Sequence, residues 1–207
     1  TGEDTLSLHD ALPDLGKVRK EHLKQNDTAT KGCMLYLTKP LGVGILSTGQ
    51  KRGIVSPADL ARAVKQMSTL NSFGEKIGPL SYVKSLTDVT GFGLFGHLVE
   101  MADGSGLSAK IAFDNLPLLP NIDHYLDQNC FPGGTARNLA SYGDRLSEEI
   151  SERQRYIGAD PQTSGGLLIA VEAEHTAEFE AFALGNGFDL SPIGELTERK
   201  EKAIYLA

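Results

Sequence analysis

The sequence has little of what several classes of protein require. Its 207 residues contain two cysteines, Cys33 and Cys130, and no Cys-x-x-Cys pair, which excludes a disulfide framework and a cysteine-rich zinc site. The net charge of −7 argues against a nucleic-acid surface or an anionic membrane as a partner. No apolar run approaches the roughly eighteen residues of a membrane span, and no segment has the pattern of a secretory signal. We therefore expect a cytoplasmic protein.

Glycine is what the sequence has in quantity. The 23 glycines gather in a few clusters and form no linker, which predicts tight turns around a binding surface. The hydrophobic content of 40% and the charged content of 23% are ordinary for a globular protein. The length allows one large domain or two small ones.

Hydrophobic patterning predicts strands and helices without regular alternation. The predicted strands are short apolar or alternating runs at residues 33–38, 82–86, 107–113, 167–171, 190–196 and 203–206. The predicted helices occupy residues 57–67, 92–101, 121–129, 144–155 and 174–184. Residues 131–138 are too rich in glycine for a regular element. This order predicts an α+β fold, in which a mixed sheet packs against helices.

Two of these helices have apolar faces that we expect in the core. The helix at 57–67 has a stripe of Leu60, Ala63, Val64 and Met67. The helix at 92–101 is apolar around most of its circumference from Phe92 onward, so it should be buried. We expect His97, which lies within it, to be a satisfied core or rim histidine and not a catalyst.

Residues 85–101 organise the rest of the chain, because a polar turn there joins a strand-like segment to an apolar helix. Gly91, Gly93 and Gly96 lie at the turn and the helix start, where a helix N-terminus favours phosphate. Asp88 stands just before the turn and is an oxygen ligand of the kind that Mg²⁺ prefers. The pattern predicts an anion cradle beside a metal-binding carboxylate.

Two other interpretations of this segment remain open. Residues 91–96 also fit the dinucleotide fingerprint G-x-G-x-x-G, with Asp114 near the expected distance downstream. The preceding residues are too polar for the buried first strand of that fold. The plainer alternative is helix–strand packing with Asp88 as a helix N-cap.

Polar groups elsewhere could join such a site. In the segment 131–138, Gly133 and Gly134 expose N–H groups, Thr135 supplies a hydroxyl and Arg137 supplies a planar fork suited to phosphate. The alternative is a structural loop whose arginine pairs with an acid. Lys39 follows the strand at 33–38 and could either contact phosphate or lie solvated on the surface.

Four blocks of the sequence together resemble the selenide, water dikinase (selenophosphate synthetase) family. They lie at residues 37–42, 87–98, 132–138 and 160–168. Single blocks are shared in part with the wider aminoimidazole ribonucleotide synthetase superfamily. The Pro-Gly-Gly-Thr and Asp-Pro-Gln-Thr-Ser-Gly-Gly wording makes the resemblance specific.

The resemblance implies the C-terminal α+β domain of an enzyme that makes selenophosphate from selenide, ATP and water, with release of AMP and phosphate. Family members dimerise mainly through an N-terminal half, which also contains the reactive Cys or selenocysteine, its partner Lys and several metal-binding Asp residues. This chain has no counterpart to those residues. We therefore expect Mg²⁺ and ATP as cofactors, the N-terminal domain as a partner, no catalytic residue in this chain and no activity of the chain alone.

Carried over by position, the resemblance implies a metal ligand at Asp88 and nucleotide contacts at Gly91, Gly93, Thr135 and Arg137. It also divides the chain into an unmatched leader, a junction between domains and the synthetase-like domain, at residues 1–15, 16–31 and 32–207. The leader is expected to be disordered or foreign, with a divergent natural linker as the alternative. Two other functions stay open: a related ATP-dependent synthetase of purine synthesis or hydrogenase maturation, or a non-catalytic interaction domain.

Overall fold

The computed structural model describes residues 17–207, so the predicted leader and Gly16 lie outside the described residues. Six strands form one sheet: β1 Met34–Leu37, β2 Val83–Asp88, β3 Leu107–Ile111, β4 Leu167–Val171, β5 Gly194–Glu198 and β6 Ile204–Leu206. The helices are α1 Val43–Lys51, α2 Pro57–Ser68, α3 Phe73–Ile77, α4 Gly93–Gly104, α5 Ile122–Asp127, α6 Gly133–Tyr142, α7 Glu152–Gly158 and α8 Thr176–Gly185.

The sheet is mixed, with the strand order β2-β4-β1-β5-β3-β6. Every neighbouring pair is antiparallel except β3 and β6, which run parallel. Neighbours in the sheet are mostly distant in the sequence, as expected when strands and helices do not alternate regularly. The predicted α+β fold is confirmed.

Strand alternation divides the core into two layers. Leu35 and Leu168 point to one face of the sheet and join the large cluster that includes α1, α4 and α5. Tyr36 and Ile169 point to the other face, where the second cluster includes side chains of α3 and α8. There the Tyr36 and Phe179 rings lie 4.9 Å apart between centroids. The period of two in each strand therefore places helices on both faces.

The outer edge of β2 is covered by the segment that leads into the domain. The backbone N–H of Leu86 and the hydroxyl of Ser85 both donate to the carbonyl of Gln25, at 3.0 and 2.8 Å. Thr28 donates from Oγ1 to the carbonyl of Lys84 at 2.6 Å. These bonds satisfy backbone groups that an edge strand would otherwise leave open.

Two predictions of local structure were wrong. Residues 131–138 are not irregular, because α6 begins at Gly133 and the Thr135 N–H closes its first turn onto the Pro132 carbonyl. Residues 144–155 are not one helix, since a short 3₁₀ turn ends at Arg145 and α7 begins at Glu152. The signal for that later start is Ser151, which forms a capping box with Gln154.

Two apolar residues predicted in the core lie on the surface. Val64 is 50% exposed, because α2 turns Ala63 and Gln66 inward instead. Phe92 is 58% exposed, since it precedes the first turn of α4 and stands beside the exposed Gly91. Ser56 caps the start of α2, with the Asp59 N–H donating to Ser56 Oγ at 3.1 Å.

Within residues 17–207, the structure has no helix with both the length and the apolar composition of a membrane span.

We expect the second core layer to depend on Phe179, whose side chain is fully buried. Phe179→Ala should lower the free energy of unfolding by about 3–5 kcal/mol, because it removes an aromatic ring and leaves a cavity. Urea denaturation followed by circular dichroism measures this loss. The control on the same helix is Leu184→Ala, which should change stability by less than about 0.5 kcal/mol because Leu184 is 64% exposed. Equal effects of the two substitutions would contradict this packing.

Candidate functional site

The candidate site lies where the ends of three strands meet at one edge of the sheet. Because β1 and β2 are both antiparallel to β4, their C-terminal ends adjoin the start of β4. Asp88 pairs with Leu167, and the Thr38 N–H donates to the Leu167 carbonyl at 3.1 Å. The Val89 N–H donates to the Gly166 carbonyl at 2.8 Å. This edge therefore brings together three blocks that are far apart in the sequence.

Asp88 is the last residue of β2 and is exposed. Its carboxylate has no hydrogen-bond or ion-pair partner among residues 17–207. The alternative that Asp88 caps a helix is wrong, because α4 begins only at Gly93, after Phe92, and has no side-chain cap. The carboxylate is thus presented to the outside at the end of a paired strand.

The glycine turn after Asp88 is held against α6 and α7. Gly93 has a φ of +70°, and a Cβ there would lie 2.8 Å from the Gly158 carbonyl oxygen. Asn138 donates from Nδ2 to the carbonyls of Gly91 and Ala159, at 2.9 and 3.0 Å. Gly91 itself is exposed, with open space where a side chain would stand. Gly93 therefore serves packing, whereas Gly91 offers accessible backbone.

The predicted pair Thr135 and Arg137 is divided by burial. Thr135 is fully buried, and its hydroxyl has no hydrogen-bond partner in the described part of the chain. Arg137 is exposed, and its guanidinium makes no ion pair or hydrogen bond within residues 17–207. Because Asn138 joins α6 to Gly91, Arg137 stands on the helix that contacts the glycine turn. The nucleotide role of all four predicted residues stays a prediction.

His97 supports the glycine turn after Asp88 and is buried, as we expected of a core or rim histidine. It is 8% exposed, and the Thr90 N–H donates to its Nε2 at 3.1 Å. Burial lowers the pKa of His97, while the charges of Asp88 and Glu100 act in the opposite direction. Because Nε2 accepts this N–H, a neutral ring carries its proton on Nδ1, which is buried and has no hydrogen-bond partner among the described residues.

Lys39 is not the solvated surface lysine of one alternative, because only 7% of it is exposed. Its Nζ donates to the carbonyls of Thr69 and Ser164, at 2.7 and 2.8 Å. Burial lowers the pKa of Lys39. The ammonium therefore ties β1 to the loop that enters β4.

The block at residues 160–166 packs against the start of α1 and against the ends of β1 and β2. The Gly44 N–H donates to Asp160 Oδ2 at 3.0 Å and the Val43 N–H faces Gln162 Oε1 at 3.3 Å, so both side chains cap the start of α1. A Cβ on Gly166 would lie 2.5 Å from the Lys39 backbone nitrogen, and one on Gly165 would overlap the Val89 carbonyl. Only glycine allows this approach of the three blocks. The sequence did not reveal the capping role of Asp160.

A separate acidic cluster lies at the opposite edge of the sheet. Glu172, Glu174 and His175 bring ligand atoms within 4.8 Å of one another just after the C-terminal end of β4. Glu172 already pairs with Lys84 at 2.9 Å. Asp88 is not part of this group.

A family comparison identifies the whole domain. The family model described as "AIR synthase related protein, C-terminal domain" matches residues 30–207. The chain belongs to this family.

Relatives of this AIR synthase related chain are closely similar in sequence. It is 54% identical over 189 residues to the selenide, water dikinase of Pseudomonas putida. The aligned residues make up 91% of this chain and 55% of that protein. The same identity, length and coverage relate it to the selenide, water dikinase of Bordetella bronchiseptica. The chain thus spans about half the length of the curated relatives that it matches.

Solved structures share the fold at low identity. The structure of hydrogenase maturation protein HypE in complex with ATP matches with a TM-score of 0.65 and 17% identity, over 93% of this chain and 52% of that one. Thiamine-monophosphate kinase from Stenotrophomonas maltophilia matches with a TM-score of 0.62 and 15% identity, over 91% and 54%. At these identities the likeness shows the fold alone.

The dinucleotide interpretation of the glycine turn is wrong. In that fold, the strand before the turn and the strand after its helix are close neighbours in a parallel sheet. In this domain of the AIR synthase related family, β4, β1 and β5 lie between β2 and β3. Asp114 follows β3 and is exposed far along the sheet order from Asp88.

Asp160 gives the site a pH-dependent stability. Burial raises the pKa of its carboxyl from 3.8 to about 7, against hydrogen bonds from Gln162 and from the backbone of Ile45 and Gly44 that lower it. Because the folded-state pKa is raised, the folded protein binds the proton more tightly than the unfolded chain. Its stabilising contribution is complete below the ordinary pKa and is lost as pH rises towards 7.

Asp160→Asn should remove this pH dependence, because an amide does not titrate. The fold should be kept, since the amide oxygen can replace Oδ2 as the acceptor from the Gly44 N–H and from Gln162 Nε2. We expect the contribution of Asp160 to the free energy of unfolding to fall by up to about 1.4 kcal/mol per pH unit between its two pKa values. Urea titrations at a series of pH values give the free energy of unfolding, and its slope against pH should differ between the variant and the unchanged protein by this contribution. Identical slopes would mean that Asp160 is not a buried titrating group.

Proposed function

We propose that this chain is the C-terminal portion of a selenide, water dikinase, which makes selenophosphate from selenide, ATP and water and releases AMP and phosphate. The identity of 54% to relatives of that name supports the activity. Those relatives are longer, and the chain spans about half of each. In this proposal, the remainder of the site lies on an N-terminal portion of the same protein. That portion would also form the homodimer, and the enzyme would act in the cytoplasm.

The observation that carries the site is the free carboxylate of Asp88. A buried or paired acid would already be neutralised, whereas Asp88 is exposed at the end of a strand and has no side-chain partner among the described residues. The fixed ladder pairing with Leu167 holds its backbone in place. Such a group is suited to a partner that arrives from outside.

Mg²⁺ fits this residue as one ligand of several. The ion prefers carboxylate oxygens and phosphate oxygens together, and a single carboxylate does not hold it. When bound, it would neutralise charge on the phosphates of ATP. In this proposal Asp88 supplies one oxygen and the N-terminal portion supplies the other carboxylates. The chain alone would therefore have no activity.

Two further parts of the edge would act on the nucleotide. Arg137 has an uncommitted guanidinium, which suits a phosphate oxygen better than a lysine because of its planar fork. Gly91 presents backbone without a side chain, so an anion can approach closely. His97 holds the Thr90 N–H and thereby positions the turn without contacting substrate.

Asp88→Asn in the full-length protein tests the proposal. The substitution keeps the shape of the side chain and removes its charge, so AMP release from ATP in the presence of selenide should fall by about 100-fold or more, as for loss of a residue that positions charge in phosphoryl transfer. The unfolding transition should stay unchanged because Asp88 is exposed. Omission of selenide, with AMP release measured again, separates this activity from that of other ATP-dependent synthetases.

Asp114→Asn is the matched control, since Asp114 is also an exposed aspartate but lies outside the edge. It should retain the AMP release of the unchanged protein. Full activity of Asp88→Asn, or equal losses in the two variants, would contradict the assignment of Asp88 to the metal.

A further inference from the structure

A cavity of about 280 Å³ opens beside the candidate site, between α2, α3 and the residues that follow β1. Its lining includes Lys39 and Pro40 after β1, Gln66 of α2, Leu70 in the connection between the helices, and Phe73 of α3. Asp88 and the glycine turn do not line it. The cavity is therefore separate from the carboxylate edge, although Lys39 touches Ser164 on the loop between them.

Two buried polar side chains line this cavity with bonding capacity left over. Lys39 and Gln66 are each 7% exposed. The Lys39 ammonium has three N–H donors, and the Thr69 and Ser164 carbonyls use two of them. Gln66 donates from Nε2 to the Pro40 carbonyl at 2.7 Å, which fixes its amide orientation and leaves Oε1 without a partner among the described residues. Because Gln66 Oε1 is sealed from solvent, Lys39 is the buried group that can offer a further bond to a ligand in the cavity.

The charge of the cavity is positive. Lys39, Arg62 and Lys65 line it, and no acidic residue does. Arg62 pairs outside the lining with Asp59, whereas the Lys65 ammonium has no partner within residues 17–207. In a chain with a net charge of −7, this local excess of cations favours an anion.

Apolar side chains make up a second part of the lining. Phe73, Leu119 and Phe188 contribute buried or half-buried side chains, and Leu70 stands at the cavity with 80% of its surface exposed. An apolar body placed there would cover Leu70 and gain from its removal from water. The volume lies below the roughly 300–1,000 Å³ typical of cavities for drug-sized ligands, so the ligand is smaller than a nucleoside triphosphate.

We propose that this cavity binds a small organic anion, in which a carboxylate, sulfonate or phosphate is joined to an apolar body. The anion would pair with Lys39 and Lys65, and the apolar body would contact Leu70 and Phe73. This inference does not depend on the proposed activity, because none of these residues is assigned to the metal or to the nucleotide.

Anilinonaphthalenesulfonate is a suitable probe, because it combines a sulfonate with an apolar ring system. Fluorescence titration of the chain should show saturable binding at one site. Lys65→Glu reverses a charge at the cavity and should raise the dissociation constant of the probe by about tenfold. Leu70→Asp should raise it by a similar factor, since this change removes apolar surface and adds a negative charge.

Each variant has a control of the same type outside the cavity. Lys51→Glu changes an exposed lysine at the end of α1, and Leu184→Asp changes a leucine that is 64% exposed on α8. Both should bind the probe as the unchanged chain does, and circular dichroism should show the same fold in all four. Absence of saturable binding, or equal affinity in the cavity variants and their controls, would overturn the proposal.

Discussion

The pairing of β4 between β1 and β2 is the interaction on which the rest of the structure depends. It aligns the ends of two parallel-running strands with the start of a third, so that Asp88 and Lys39 reach one edge of the sheet. Gly165 and Gly166 make this possible, because a side chain at either position would strike the backbone of Val89 or Lys39. A larger residue would separate the strands at the point where the candidate site forms.

The polar residues at this edge divide by burial into two groups with different physical roles. Lys39, Asp160 and Gln162 are buried, and they bind carbonyls or helix N–H groups of the domain itself. Asp88 and Arg137 are exposed and have no partner among residues 17–207. The internal bonds fix the frame, which in turn presents the two uncommitted charges. In the proposed function, the acid would serve a divalent cation and the arginine a phosphate oxygen.

Local patterns predicted much of the fold and only part of the site. Apolar runs located β1 and β4, and Ser56 with Pro57 located the start of α2, since these signals act within a few residues. The helix at Gly133 was missed because its glycines argue against a helix, whereas the structure requires glycine at position 134, where a Cβ would lie 2.7 Å from the Pro161 ring. The burial of Lys39 and Asp160 could not be read from the sequence, because Lys39 bonds Ser164 and Asp160 bonds Gly44, each more than one hundred residues away. The accessibility of Asp88 likewise depends on tertiary structure.

We propose that the edge with Asp88 faces the bound metal and nucleotide in the full-length protein. Paramagnetic relaxation by Mn²⁺ with ATP tests it most directly, since the ion broadens the amide signals of nearby residues in an isotopically labelled protein. We expect strong broadening of Asp88, Val89 and Gly91, with sharp signals at Asp114 and Leu184. Sharp signals throughout residues 88–91 at saturating Mn²⁺ and ATP would contradict it.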